Sequence, residues 1–81
     1  MIDKKIYHDL KKVIKCLCRK NVIKLCDEVE LNNEERKLLM SFYDGNSRTT
    51  TCIDLGISET YYNKHLKLIL SKIYNYKNTL N

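Results

Sequence analysis

No proline occurs anywhere in this 81-residue chain, and Gly45 and Gly56 are its only glycines. So few breakers predict long helices joined by short turns. No apolar run approaches the length of a membrane span, and no segment is proline-rich, glycine-rich or repetitive, which excludes a bilayer-crossing helix and a low-complexity linker. An apolar leader is missing too: Lys4, Lys5, Lys11 and Lys12 interrupt any such stretch, so no signal peptide is expected and a reduced, cytoplasmic chain is. Cys16, Cys18, Cys26 and Cys52 lack the paired Cys-x-x-Cys or Cys/His arms of a zinc site, and are expected to act as small apolar fillers. There is no glycine-rich phosphate loop and no Cys/His pair at a catalytic spacing. The carboxylates crowd into "DEVELNNEE", a helix start and an acidic surface. The expectation is a protein that is not an enzyme and carries no metal or cofactor.

What is present fits one small domain, since a chain of this length can bury only one modest core. Fifteen basic residues against ten acidic ones give a formal net charge of +5 and an isoelectric point near 9.1. Such a surplus biases the chain toward polyanionic partners and is silent about fold.

Ile2, Ile6, Leu10, Val13 and Leu17 recur at steps of three and four, with Lys4, Lys5, Lys11, Lys12, Lys15 and Arg19 on the opposite arc. That pattern predicts an amphipathic helix. It is expected to falter near Asn21 and to resume through Val22, Leu25, Cys26 and Val29, with a short strand in "NVIKLC" as the alternative. Further on, Asn32-x-x-Glu35 is a capping-box signature that starts a helix with Leu38, Leu39 and Phe42 on its inner stripe. Gly45 is placed to end that helix in the left-handed conformation. Ser47 caps a short helix to about Leu55, with Thr51, Cys52 and Leu55 inward. Gly56 closes it, and Ser58 caps a long one-sided helix that buries Tyr62, Leu66, Ile69, Leu70 and Ile73.

Two helices around a three-residue turn, the second of them capped, make a helix-turn-helix pattern that presents the second helix to a DNA major groove. Leu31, Glu35, Leu39, Gly45, Ser47, Leu55, Ile57, Ser58, His65, Ile69 and Lys72 fall in one ungapped register over Leu31 to Ile73. In that register the chain resembles the GerE/LuxR-type helix-turn-helix domain, a relative of the sigma-factor region that recognises the −35 promoter element. It departs from the family at Thr51-Cys52, where Ile-Ala is usual, and at Tyr61-Tyr62-Asn63, where Thr-Val-Lys is usual, so base preference does not transfer. Only "YNYKNTLN" follows Ile73, which leaves little room for the family's fourth, dimer-forming helix.

The resemblance implies an all-α fold. Residues 1–30 form an N-terminal amphipathic helical extension, and residues 31–81 form a helix-turn-helix domain that binds double-stranded DNA as a transcriptional regulator. Asn63, Lys64 and Lys67 are the expected reading and anchoring side chains, because Asn can bond adenine bidentately and Lys can reach guanine acceptors or phosphate. Tyr61 is expected against a sugar or a thymine methyl, with Tyr62 in the core and His65 a packing residue. Ser47, Arg48, Ser58 and Thr60 lie at helix N-termini suited to phosphate. The lysine face of the N-terminal helix reads first as a solvated face and second as a further phosphate surface. The stripe Ile6, Leu10, Val13 and Leu17 either completes the core or forms a homodimer contact, the dimer being preferred. The alternative function is a phage-like or mobile-element protein-binding module on the same fold, with RNA polymerase or another host enzyme as its target; the bulky Tyr61-Tyr62 pair favours that reading.

Overall fold

The computed structural model describes residues 3–80, with side chains through Lys77, and those residues form five helices and no strand. They are α1 (Lys4–Cys16), α2 (Arg19–Glu28), α3 (Asn33–Tyr43), α4 (Arg48–Leu55) and α5 (Glu59–Leu80). The class is all-α, as the sequence predicts. Ile2 lies outside the described residues.

The local chemistry of the caps accounts for most boundaries. Asp3 caps α1 by accepting from the Ile6 N–H at 2.8 Å. At α3 the capping box is complete: Asn32 Oδ1 accepts from Glu35 N–H at 2.8 Å while Glu35 Oε1 accepts from Asn32 N–H at 3.1 Å. Ser47 Oγ accepts from Thr50 N–H and Ser58 Oγ from Tyr61 N–H, both at 3.1 Å, starting α4 and α5.

The helix ends share one device. After α3, Gly45 N–H donates to the Phe42 carbonyl and Asn46 N–H to that of Ser41; after α4, Gly56 N–H donates to Ile53 and Ile57 N–H to Cys52. Both are Schellman ends with the glycine at positive φ, +87° at Gly45 and +67° at Gly56. The end of α2 has the same pair of bonds, Glu30 N–H to Asp27 and Leu31 N–H to Cys26, but there a glutamate occupies the left-handed position at φ 56°.

The N-terminal helix breaks earlier than expected. Leu17 and Cys18 are both extended, so α1 ends at Cys16 rather than near Asn21, and "NVIKLC" is helical within α2. The cause is tertiary: the Tyr43 hydroxyl donates to the Leu17 carbonyl at 2.6 Å, satisfying the acceptor that the break frees. Arg19, at the start of α2, pairs with Asp44 at the end of α3 and holds the fold-back in place.

One core runs through all five helices. Ile14, Val22, Leu25, Cys26, Leu31, Leu38, Leu39, Phe42, Cys52, Tyr62, Leu66, Ile69, Leu70 and Ile73 are buried together. Residues 1–30 therefore supply Ile14, Val22, Leu25 and Cys26 to the same core as residues 31–81. The expected stripe on α1 is divided: Ile6, Leu10 and Leu17 pack against the core, whereas Val13 is 44% exposed. The buried centre of α1 is Ile14, one residue from the expected position, because the helix rolls Tyr7, Leu10 and Ile14 inward. Two cysteines differ from expectation as well: Cys26 and Cys52 are buried fillers, but Cys16 and Cys18 flank the α1–α2 break and are exposed.

α5 packs on α1, α3 and α4, and the Tyr76 hydroxyl donates to Glu28 of α2. The "YNYKNTLN" segment continues this helix through Leu80 instead of starting another, and Tyr74 and Tyr76 pack against the core. A radius of gyration of 12.0 Å matches the ~12 Å expected for one compact domain of this length.

Candidate nucleic-acid interface

Within α5, Thr60, Asn63, Lys64 and Lys67 are spaced i, i+3, i+4 and i+7, which puts them on one face of the first two turns. Thr60, Asn63 and Lys64 are exposed and Lys67 is half-buried. Among the described residues, none of the four side chains enters an ion pair, and the nearest acid on the helix, Glu59, is taken by Arg48 at 3.7 Å. The opposite face carries Tyr62, Leu66, Ile69 and Ile73 into the core, fixing which way the polar face looks.

Tyr62 is 6% exposed and is a core residue, as the sequence predicts. Burial and then the nearby Cys52 push its hydroxyl pKa up, opposed by the Arg48 guanidinium. Tyr61 lies on the flank of the polar face. Its ring stacks on His65 with centroids 3.9 Å apart and an 18° tilt, and its hydroxyl donates to Glu34 Oε2 at 3.4 Å. Partial burial first, and Glu34 second, raise the Tyr61 pKa. Its ring edge therefore turns toward α3, and His65 is a packing residue.

Ser47 and Ser58 have hydroxyls already used as helix caps. Ser47 also donates to Thr50 Oγ1 at 2.9 Å, and Arg48, about half exposed, shares Glu59. These residues set the mutual placement of α4 and α5 around the Gly56–Ser58 turn. Thr51 is fully buried and bonds Ser41 of α3 at 2.7 Å, while Asn46 Nδ2 donates to the same Ser41 oxygen at 3.1 Å. The buried Thr51 hydroxyl thus has a matched partner.

Glu35 joins α3 to α5. Partial burial raises its pKa, but the bond from Lys72 Nζ at 2.7 Å and the bond from Asn32 N–H outweigh it and hold the carboxyl below the usual range.

An open groove of about 590 Å³ lies between the start of α3 and the α4–α5 turn, lined by Glu34, Lys37, Leu38, Asp54, Leu55, Ile57 and Tyr61 among others. Sequence reasoning missed it because Glu34 and Lys37 are some twenty residues from Asp54 and no motif links them. No group of three or more metal-ligating side chains occurs among the described residues, nor does any helix long and apolar enough to cross a membrane. Compared with family models, curated proteins and solved structures, the chain finds no match.

Proposed function

We propose that the chain is a small sequence-specific DNA-binding regulator in which α4, the Gly56–Ser58 turn and α5 act as a helix-turn-helix unit of the GerE/LuxR type. The observation that carries this reading is the acid-free row of exposed Thr60, Asn63 and Lys64 and half-buried Lys67 on the first two turns of α5. A buried opposite face fixes that row's direction. A recognition helix offers base edges and phosphates such donors from its N-terminal turns. The contacts made by the positions that carry the resemblance add support: Glu35 pairs with Lys72, Leu39 and Ile69 are core, Ser47 and Ser58 cap, and Gly45 ends α3.

In this reading Asn63 recognises a base, Lys64 and Lys67 hold base edges or phosphate, and Arg48 contacts phosphate by leaving Glu59. Tyr61 acts indirectly, fixing the flank of α5 against α3 through His65 and Glu34. Of the Tyr61-Tyr62 pair that favours the rival protein-binding reading, Tyr62 is interior and Tyr61, stacked on His65, lines an open groove. The groove beside Tyr61 is the surface a polymerase or other host partner would take.

The test is selection of bound duplexes from a random pool, followed by titration of wild type, Asn63→Ala, Lys64→Ala and Lys67→Ala against selected and scrambled duplexes. Asn63→Ala relaxes preference at one position, by about 1–3 kcal/mol for a bidentate contact. Lys67→Ala weakens all sequences alike and lowers the salt slope by roughly one unit. If no duplex is enriched, or if the three substitutions leave binding unchanged in folded protein, the reading fails.

A further inference from the structure

The positive charge is unevenly distributed. α1 holds five lysines against one aspartate, a net +4 in a chain of +5. Elsewhere half of the ten basic residues meet an acid, Arg19 with Asp44, Lys24 with Glu28, Arg36 with Asp27, Arg48 with Glu59 and Lys72 with Glu35, and nine acids nearly balance the ten bases. On α1, Lys4, Lys5 and Lys12 are exposed and have no ion pair among the described residues. Lys11 and Lys15 lie over aromatic rings, 4.8 Å from the centroids of Tyr7 and Phe42 respectively, on the flank of the same helix.

Two further observations separate this face from an ordinary solvated one. Lys4 and Lys5 occupy the first turn of α1, which contains no acid. There the helix dipole disfavours a cation, and the one acid beside them, the N-cap Asp3, is engaged with the Ile6 N–H at 2.8 Å. The helix also packs directly on α5, the helix that carries the exposed polar row.

We infer that the lysine face of α1, centred on Lys4, Lys5 and Lys12, is a second phosphate-contact surface that grips the nucleic-acid backbone while α5 reads bases; this rests on the DNA-binding reading. Unpaired ammoniums along one helix side complement a duplex, which carries one charge about every 3.4 Å per strand. From Lys4 to Lys15 the helix advances about 17 Å, the length of about five base-pair steps. An anionic bilayer is the weaker match, because an amphipathic helix binds a bilayer by burying its apolar face in it. The apolar face of α1 is already spent on the protein core, with Ile14 buried and Ile6, Tyr7, Leu10 and Leu17 packed.

The experiment measures affinity of the full chain for a fluorescent random-sequence 20-base-pair duplex across about 25–200 mM salt, with wild type and Lys4→Gln/Lys5→Gln/Lys12→Gln. The triple variant is expected to lower the salt slope by about two to three units, at about 0.9 per phosphate contact. It should keep the wild-type ratio of affinities for selected and scrambled duplexes, and the arginine triple should restore the slope. The single changes Lys5→Gln and Lys12→Gln, each lowering the slope by about one unit, keep the result readable if the triple variant does not fold. A slope unchanged by these substitutions, in a chain that still binds duplex, overturns the second surface and leaves the DNA reading standing. A wild type that binds no duplex overturns both. Lysine-dependent capture by phosphatidylserine vesicles without an effect on the duplex slope overturns the proposal in favour of a lipid surface.

Discussion

Thr51 shows what a single buried hydroxyl costs and secures. With no exposure, it can be accommodated only because Ser41 stands opposite on α3. Thr51→Val should cost about 1–2 kcal/mol by leaving Ser41 with one partner fewer, and combining it with Ser41→Ala should cost less than the two single changes together. Urea unfolding of the four-member cycle checks this. The cysteines divide equally sharply. Cys16 and Cys18 are exposed and Cys26 and Cys52 buried, with burial pushing the Cys26 thiol up. A disulfide-exchange reagent should therefore titrate two thiols quickly in the native chain and all four in denaturant.

Among the elements, the three matching helix ends form a natural comparison. Gly45 and Gly56 take their positive φ without strain, and a Cβ built at either would meet nothing within 4 Å. Gly45→Ala and Gly56→Ala should therefore be destabilising through backbone conformation alone, by about 1–2 kcal/mol. Glu30 sits in the same geometry with a side chain, so Glu30→Gly should raise stability by about 0.5–1 kcal/mol, less than the strain it relieves, because glycine loosens the unfolded chain. Thermal and urea midpoints read both directions. The same comparison explains what could be read from residues alone. The starts of α3, α4 and α5 and two of the ends were legible because Asn32, Ser47, Ser58, Gly45 and Gly56 act within one turn of themselves. The break after Cys16 was not, since neither Leu17 nor Cys18 is a breaker and the phenol that satisfies it comes from Tyr43, 26 residues away. The inner face of α1 was read one position off, at Val13 rather than Ile14, because adjacent apolar residues leave the helical phase open until a neighbour packs against it. At the candidate site the row on α5 could be read from its spacing, whereas the turn of Tyr61 toward Glu34 depends on α3 and could not.

For the whole molecule, Glu35 and Lys72 join α3 to α5 across 37 residues, so acid should loosen more than one cap. The folded pKa of Glu35 lies below its ordinary 4.5. Its stabilising contribution is thus fully present above the ordinary glutamate range and is lost as pH falls through the depressed folded value. Wild type should lose stability between about pH 6 and pH 3, and Glu35→Gln should lose less over that interval while being weaker at neutral pH. Urea midpoints across pH measure the difference. α5 has a further consequence. At 22 residues it is about 33 Å long against a molecular long axis of 38 Å, and it meets each of the other four helices. Synthesis delivers it after them. At about 5–20 residues per second, its 22 residues take about one to four seconds to add. Over that interval α1 to α4, each too short to persist alone, hold their apolar stripes without the spine that covers them. A chain cut before Glu59 is therefore expected to lack a stable core, and the full chain to unfold in a single urea transition read alike by circular dichroism and tyrosine fluorescence.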